Sequence, residues 1–107
     1  MLIIETPTFT RKIVELLSDE EYRELQSTLV ERPDSGALIP GTKGLRKLRF
    51  SLEGRGKRGG GRIIYYWVVG NEIIYMVYAY RKNEQEDLTP KQLKLLAKQV
   101  EEFINEK

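Results

Sequence analysis

Cationic side chains and glycines are the groups in this sequence that could bind or transform a ligand. Residues 41–62 contain eight Lys or Arg and one Glu, whereas the whole chain of 107 residues has a net charge of only +2. Because the chain has no Cys and no His, it lacks thiol chemistry, disulfides and the commonest metal ligand and general base. A local basic patch is typical of a protein that binds a polyanion, nucleic acid before membrane. The alternative is a solvated strand face on which cations cluster by accident.

The stretch GRGKRGGGR, residues 54–62, combines five glycines with four cations. Gly54, Gly56 and Gly59 match the spacing of a dinucleotide-binding loop, but that loop requires a following helix and a strand is predicted here. A Walker A loop fails for the same reason and because GK[ST] is absent. We therefore expect a connection between two strands that wraps a phosphate backbone, with a purely structural loop as the alternative.

The first half of the chain shows one strand and two helices. Residues 2–5, LIIE, predict a strand, and Thr6-Pro7 is a helix start. Ser18 and Glu21 have the spacing of a capping box that starts a second helix, which ends near Arg32. The start of the chain lacks a basic region and a sustained apolar run, so we expect no secretory signal and a cytoplasmic protein.

The second half predicts three strands and a closing helix. In LRKLRFSL, residues 45–52, apolar and polar side chains alternate, so Leu48 and Phe50 should be buried and Lys47 and Arg49 exposed. Residues 63–80 predict a hairpin with a two-residue turn at Gly70-Asn71, and Thr89-Pro90 starts the last helix. The order β-α-α-β-β-β-α predicts one α+β domain, residues 1–107, with a mainly antiparallel twisted sheet flanked by helices.

Pairing across the predicted hairpin brings distant cations together. With Gly70 and Asn71 as the turn, Arg62 faces Ala79. Arg81 lies two positions beyond Ala79, so it should point to the same face of the sheet as Arg62. One face and end of the sheet should then gather five cations beside the glycine loop: Lys47, Arg49, Arg62, Arg81 and Lys82. Such a cradle would fit a sharply bent RNA phosphate.

Three sequence blocks resemble the RelE/HigB family of bacterial toxins, and in particular its HigB-like branch. They are GTKGLRKLRF (41–50), GKRGGGRIIYYW (56–67) and YRKNEQEDLTPKQ (80–92). The resemblance implies a RelE-like fold and a ribosome-dependent mRNA endonuclease that inhibits translation. It also implies a cognate helix-turn-helix antitoxin as partner. We expect no metal, no small-molecule cofactor and no membrane association.

The positions that match the family's functional residues are Lys47, Arg49, Arg62 and Lys82. Chemistry then suggests roles for individual residues in attack by the RNA 2′-OH on the adjacent phosphate. Lys47 is the candidate base and Arg62 the clamp for the phosphorane, because a lysine among cations can lose its proton near neutral pH and an arginine stays charged. Lys82 or Arg81 would lie near the leaving group, and Glu84 is an alternative base. The residues assigned to RNA binding are Arg46, Arg49, Arg55, Lys57, Arg58, Tyr80 and Asn83.

The family often has a tyrosine just before the last helix, and this sequence does not. Leu88 and Thr89 occupy that neighbourhood, so no role is carried over for it. Two other functions would use the same basic face. One is a non-catalytic RNA- or ribosome-binding module, and the other is a regulatory protein whose groove receives an acidic peptide.

Overall fold

The computed structural model describes residues 1–51, 60–82 and 88–105. The elements in chain order are β1 (Leu2–Glu5), α1 (Pro7–Leu16), α2 (Asp19–Glu31), β2 (Ala37–Leu38), β3 (Leu45–Phe50), β4 (Gly61–Val68), β5 (Ile73–Arg81) and α3 (Pro90–Asn105). The described strands form a five-stranded sheet in the order β1-β5-β4-β3-β2, in which β1 runs parallel to β5 and the other neighbours are antiparallel. The predicted α+β class is confirmed, with the short strand β2 as an addition.

The helix starts lie where the capping residues predicted them. Thr6 caps α1 by accepting a hydrogen bond from the backbone N–H of Phe9, and Ser18 and Glu21 form the reciprocal capping box of α2. Before α3, Thr89 and Gln92 exchange the same pair of bonds. Each cap satisfies backbone donors that would otherwise lack partners in the first turn.

The sheet is covered on both faces. Helices α1 and α2 pack on one face, which we call the front face, through a buried cluster that includes Phe9, Leu29, Ile63 and Tyr65. Helix α3 covers part of the opposite, rear face through a second cluster that includes Val100. Among the described residues, no helix has both the length and the apolar character that crossing a membrane requires.

A β-bulge interrupts the pairing of the two central strands. Tyr65 pairs with Met76 and Ile64 pairs with Tyr78, so Val77 is an extra residue on β5. Both strands are buried over most of their length. A buried strand has no polar alternation to reveal a change of register, so the sequence pattern did not indicate the bulge.

The bulge overturns the predicted pairing of Arg62. Arg62 lies opposite Tyr80, not Ala79, because the extra residue moves β5 by one position. A residue near the start of the chain contacts the bulge, since the Thr6 hydroxyl donates to the carbonyl of Val77 at 2.8 Å. Thr6 thus caps α1 and also satisfies a carbonyl of the bulge.

The predicted two-residue turn of the hairpin is also wrong. Strand β4 ends at Val68 and β5 begins at Ile73, which leaves four connecting residues. The N–H of Asn71 donates to the carbonyl of Val68 at 3.3 Å, and two residues have positive φ, Gly70 at 98° and Glu72 at 53°. The turn therefore closes one residue earlier than predicted, and Glu72 adopts a left-handed conformation before β5 begins.

Candidate functional site

A cationic groove lies on the rear face, at the end of the sheet where β3 ends and β4 begins. Its volume is about 730 Å³, and its lining residues are Ser35, Ala37, Lys47, Leu48, Arg49, Arg62 and Lys82. Four of the five cations that the sequence predicted to share one face therefore meet here. The glycine loop predicted to lie beside them falls mostly outside the described residues.

Arg62 lines this groove and is almost completely buried. Its side chain is 6% exposed, and its Nη1 donates to the carbonyl of Gly61 at 3.0 Å. Within the described parts of the chain, no acidic side chain forms an ion pair with it. A buried guanidinium is costly unless its charge and its five donors are matched, so an anion bound beside Arg62 would offset part of this cost.

A second cation faces Arg62 directly. Arg49 on β3 is paired with Arg62 on β4, and Arg49 is exposed. The Cβ atoms of such opposed residues lie about 5 Å apart, and like charges in this position destabilise a sheet. An anion bound between the two side chains would remove this repulsion.

Two lysines complete the cationic lining. Lys47 is two residues before Arg49 on β3 and therefore projects to the same face, about 7 Å along the strand. It is half-buried, whereas the sequence predicted it to be exposed; its neighbours Leu48 and Phe50 pack partly buried against the front-face core. Lys82 follows β5, and its N–H donates to the carbonyl of Gly60 at 3.1 Å, which fixes it at the groove.

The structure places Arg81 on the other face of the sheet. Arg81 pairs with Gly61, and directly opposed residues project to the same side, so Arg81 points away from the face that carries Arg62. The predicted sharing of one face by Arg62 and Arg81 is wrong because the bulge shifts β5 by one residue. Of the two candidates for the leaving-group side, Lys82 lines the groove.

Two residues assigned to RNA binding also lie elsewhere. Arg46 is directed to a loop, where its Nη1 donates to the carbonyls of Gly36 at 2.7 Å and Asp34 at 3.3 Å. Tyr80 is 5% exposed and belongs to the rear-face core beside Tyr78, with the ring centroids 5.9 Å apart. The structure thus places the Tyr80 ring inside the protein rather than at the surface.

The remaining site predictions fall outside the described residues. They are Arg55, Lys57 and Arg58 of the glycine loop, and Asn83 and Glu84 after β5.

One wall of the groove has no local signal in the sequence. Ser35 and Ala37, in the connection from α2 to β3, line it, and Ala37 pairs with Lys47 on the neighbouring strand. Residues 33–36, PDSG, are typical turn residues and predict a loop there. No local pattern predicts that the loop returns to β3, because only tertiary contacts bring it there.

Both the sequence and the fold of this chain are similar to those of known proteins. The family model described as the RelE toxin of the RelE/RelB toxin–antitoxin system matches residues 5–107. Among solved structures, the free state of an E. coli RelE toxin with two arginines mutated to alanine aligns with a TM-score of 0.58. The sequence identity is 13%, and the alignment covers 79% of this chain and 86% of that chain. The RelE part of the predicted resemblance is confirmed, and the HigB-like branch stays a prediction.

Proposed function

We propose that this chain, which belongs to the RelE family of toxins from toxin–antitoxin systems, is a ribosome-dependent mRNA endonuclease that inhibits translation. The observation that carries the proposal is the buried Arg62, opposed by Arg49 in a groove that also contains Lys47 and Lys82. This arrangement suits a phosphate whose charge increases in the transition state, because the donors are fixed before the substrate arrives.

The proposed reaction is attack by the 2′-oxygen of one nucleotide on its own 3′-phosphate. The amine of Lys47, in its neutral form, takes the proton of the 2′-OH as the new P–O2′ bond forms. The P–O5′ bond breaks, and the ammonium of Lys82 gives a proton to the departing 5′-oxygen. The products are a 2′,3′-cyclic phosphate and a 5′-OH, and Arg62 and Arg49 stabilise the phosphorane between these states. Glu84 is an alternative base.

The proposal includes an antitoxin partner. A protein that cuts messages during translation must be blocked until it is needed, and a partner of the helix-turn-helix type would do so by covering or distorting the cationic groove. We expect the chain, expressed alone in the bacterial cytoplasm, to inhibit growth. Harmless accumulation of soluble wild-type protein in translating bacteria would argue strongly against a toxin.

The direct test is incubation of the purified protein with translating ribosomes that carry a defined message. We expect breaks at specific codons, with 5′-OH and 2′,3′-cyclic phosphate ends, and no comparable breaks in the same message without ribosomes. Arg62→Ala should bind ribosomes but leave the message intact. Binding without breaks by the wild-type protein would instead support the non-catalytic RNA-binding module.

A further inference from the structure

One wall of the groove, residues 33–37, is held in place by side-chain hydrogen bonds from two neighbouring strands. The hydroxyl of Tyr65, on β4, donates to the carbonyl of Pro33 at 2.7 Å and accepts the N–H of Gly36 at 2.8 Å. The Tyr65 side chain is fully buried, and burial raises the pKa of its phenol, which keeps the donating proton in place. One side chain of the central sheet thus fixes both ends of this turn.

Arg46 holds the same turn from the neighbouring strand. Its guanidinium donates to the carbonyls of Gly36 and Asp34, so its charge is directed to the loop backbone. Gly36 is the residue that permits the close approach. A Cβ there would lie 2.8 Å from a ring carbon of Tyr65 and 3.0 Å from the carbonyl oxygen of Lys47. The loop is therefore packed against the backbone of a residue that lines the groove.

The chemistry of this wall differs from that of the rest of the groove. The Ser35 hydroxyl donates its single proton to the carbonyl of Arg32, so its oxygen can still accept a hydrogen bond but has no second proton to donate. Arg49, Arg62 and Lys82 also line the groove and are cations, which donate and cannot accept, and the lone pair of Lys47 is directed to the 2′-OH in the proposed reaction. Ser35 is thus suited to a donor on the RNA, such as the amino group of a base, and not to a phosphate.

We propose that Ser35 selects the nucleotide next to the cleaved phosphate by accepting a hydrogen bond from its exocyclic amino group, and that Tyr65 and Arg46 are positioning residues for Ser35. This inference rests on the proposed endonuclease function and adds a determinant of its specificity. Cytosine and uracil provide the sharpest test, because they have similar size and cytosine carries an amino group where uracil has a carbonyl oxygen.

The experiment measures the ratio of single-turnover cleavage rates, at saturating ribosome, for two messages that differ only in cytosine or uracil beside the cut. We expect the wild-type protein to prefer cytosine by about two- to tenfold, the factor that one hydrogen bond contributes. Ser35→Ala and Tyr65→Phe should reduce the ratio to near one. A loss of folded protein lowers both rates equally, so the ratio separates positioning from stability.

Tyr22→Phe is the matched control for Tyr65→Phe. It removes a tyrosine hydroxyl that donates to Glu5 between α2 and β1, away from the loop. We expect it to keep the wild-type ratio.

Arg46→Gln should also lower the ratio of cleavage rates but leave the salt dependence of ribosome binding unchanged. Arg49→Gln should reduce the slope of that salt dependence by about one phosphate contact.

The outcomes separate this inference from the proposed function. If the wild-type protein cleaves neither message, the endonuclease proposal fails and this inference fails with it. If it cleaves both without preference, or if Ser35→Ala keeps the preference, the endonuclease proposal survives and the role of Ser35 is overturned. If Ser35→Ala loses the preference but Tyr65→Phe and Arg46→Gln retain it, the positioning roles are overturned.

Discussion

Replacing Arg62 by methionine should make the protein more stable and inactive at once. Methionine keeps an unbranched side chain of similar length and removes the buried charge. Arg49 and Arg62 are directly opposed, with Cβ atoms about 5 Å apart, and two unit charges about 5–10 Å apart repel by about 2–3 kcal/mol at an effective dielectric constant of about 20. Because Arg49 is exposed, solvent screening reduces the repulsion between the two arginines to about 1 kcal/mol.

The other contributions to the Arg62→Met change have opposite signs. The substitution removes the hydrogen bond to Gly61, which costs about 1 kcal/mol, and it removes the desolvation penalty of a buried guanidinium, which is several kcal/mol. We expect a net increase of about 1–2 kcal/mol in the free energy of unfolding at low salt, and a smaller increase at high salt. The single-turnover cleavage rate at saturating ribosome should fall by about a hundredfold or more.

Urea unfolding followed by circular dichroism measures the stability change, which should appear as a higher midpoint with an unchanged slope. Arg81→Met is the matched control, because Arg81 lies next to Arg62 across the hairpin but is paired with Gly61 on the other face. It should not gain stability. An Arg62→Met protein that is less stable than wild type, or an equal gain in Arg81→Met, would show that Arg62 is not held in an unfavourable state.

Three further changes test other parts of the structure. Lys82→Ala should lower the single-turnover cleavage rate while Arg81→Ala leaves it unchanged, since Lys82 alone of the pair lines the groove; equal effects would contradict this assignment. Thr6→Val should reduce the free energy of unfolding by about 2 kcal/mol, measured in urea, because it removes the helix cap and the bond to the bulge; a change below about 0.5 kcal/mol would contradict it. Replacing Arg55, Lys57 and Arg58 together by Ala should weaken ribosome association and flatten its salt dependence while bound complexes still react, and an unchanged salt slope would remove these cations from the RNA interface.

Much of the fold could be predicted because its signals are local. The caps at Thr6, Ser18 and Thr89 fix helix starts through residues that are adjacent in sequence, and the alternation in β3 separates its cationic face from its core face. The cations of β3 and β4 were correctly placed together, because antiparallel neighbours bring the end of one strand beside the start of the next.

Features that depend on contacts between distant residues have no local sequence signal. Val77 reads as an ordinary buried strand residue, and its role in the bulge depends on Thr6 at the other end of the chain. Arg46 is a cation in a cationic strand, so its direction toward the carbonyls of residues 34 and 36 has no sequence signal. Tyr65 similarly looks like one more aromatic core residue, and its hydroxyl contacts become evident only from the fold.

The bond between Thr6 and Val77 joins residues 71 positions apart, and β1 pairs with β5 over a similar separation. Contacts of such long sequence separation form slowly, since the entropy of closing the loop must be overcome before they contribute stability. During synthesis, Thr6 emerges from the ribosome long before Val77 exists to receive its hydrogen bond. The register that places Arg62 opposite Tyr80 can therefore form only after β5 has been made, and a nascent chain has no complete cationic groove until then.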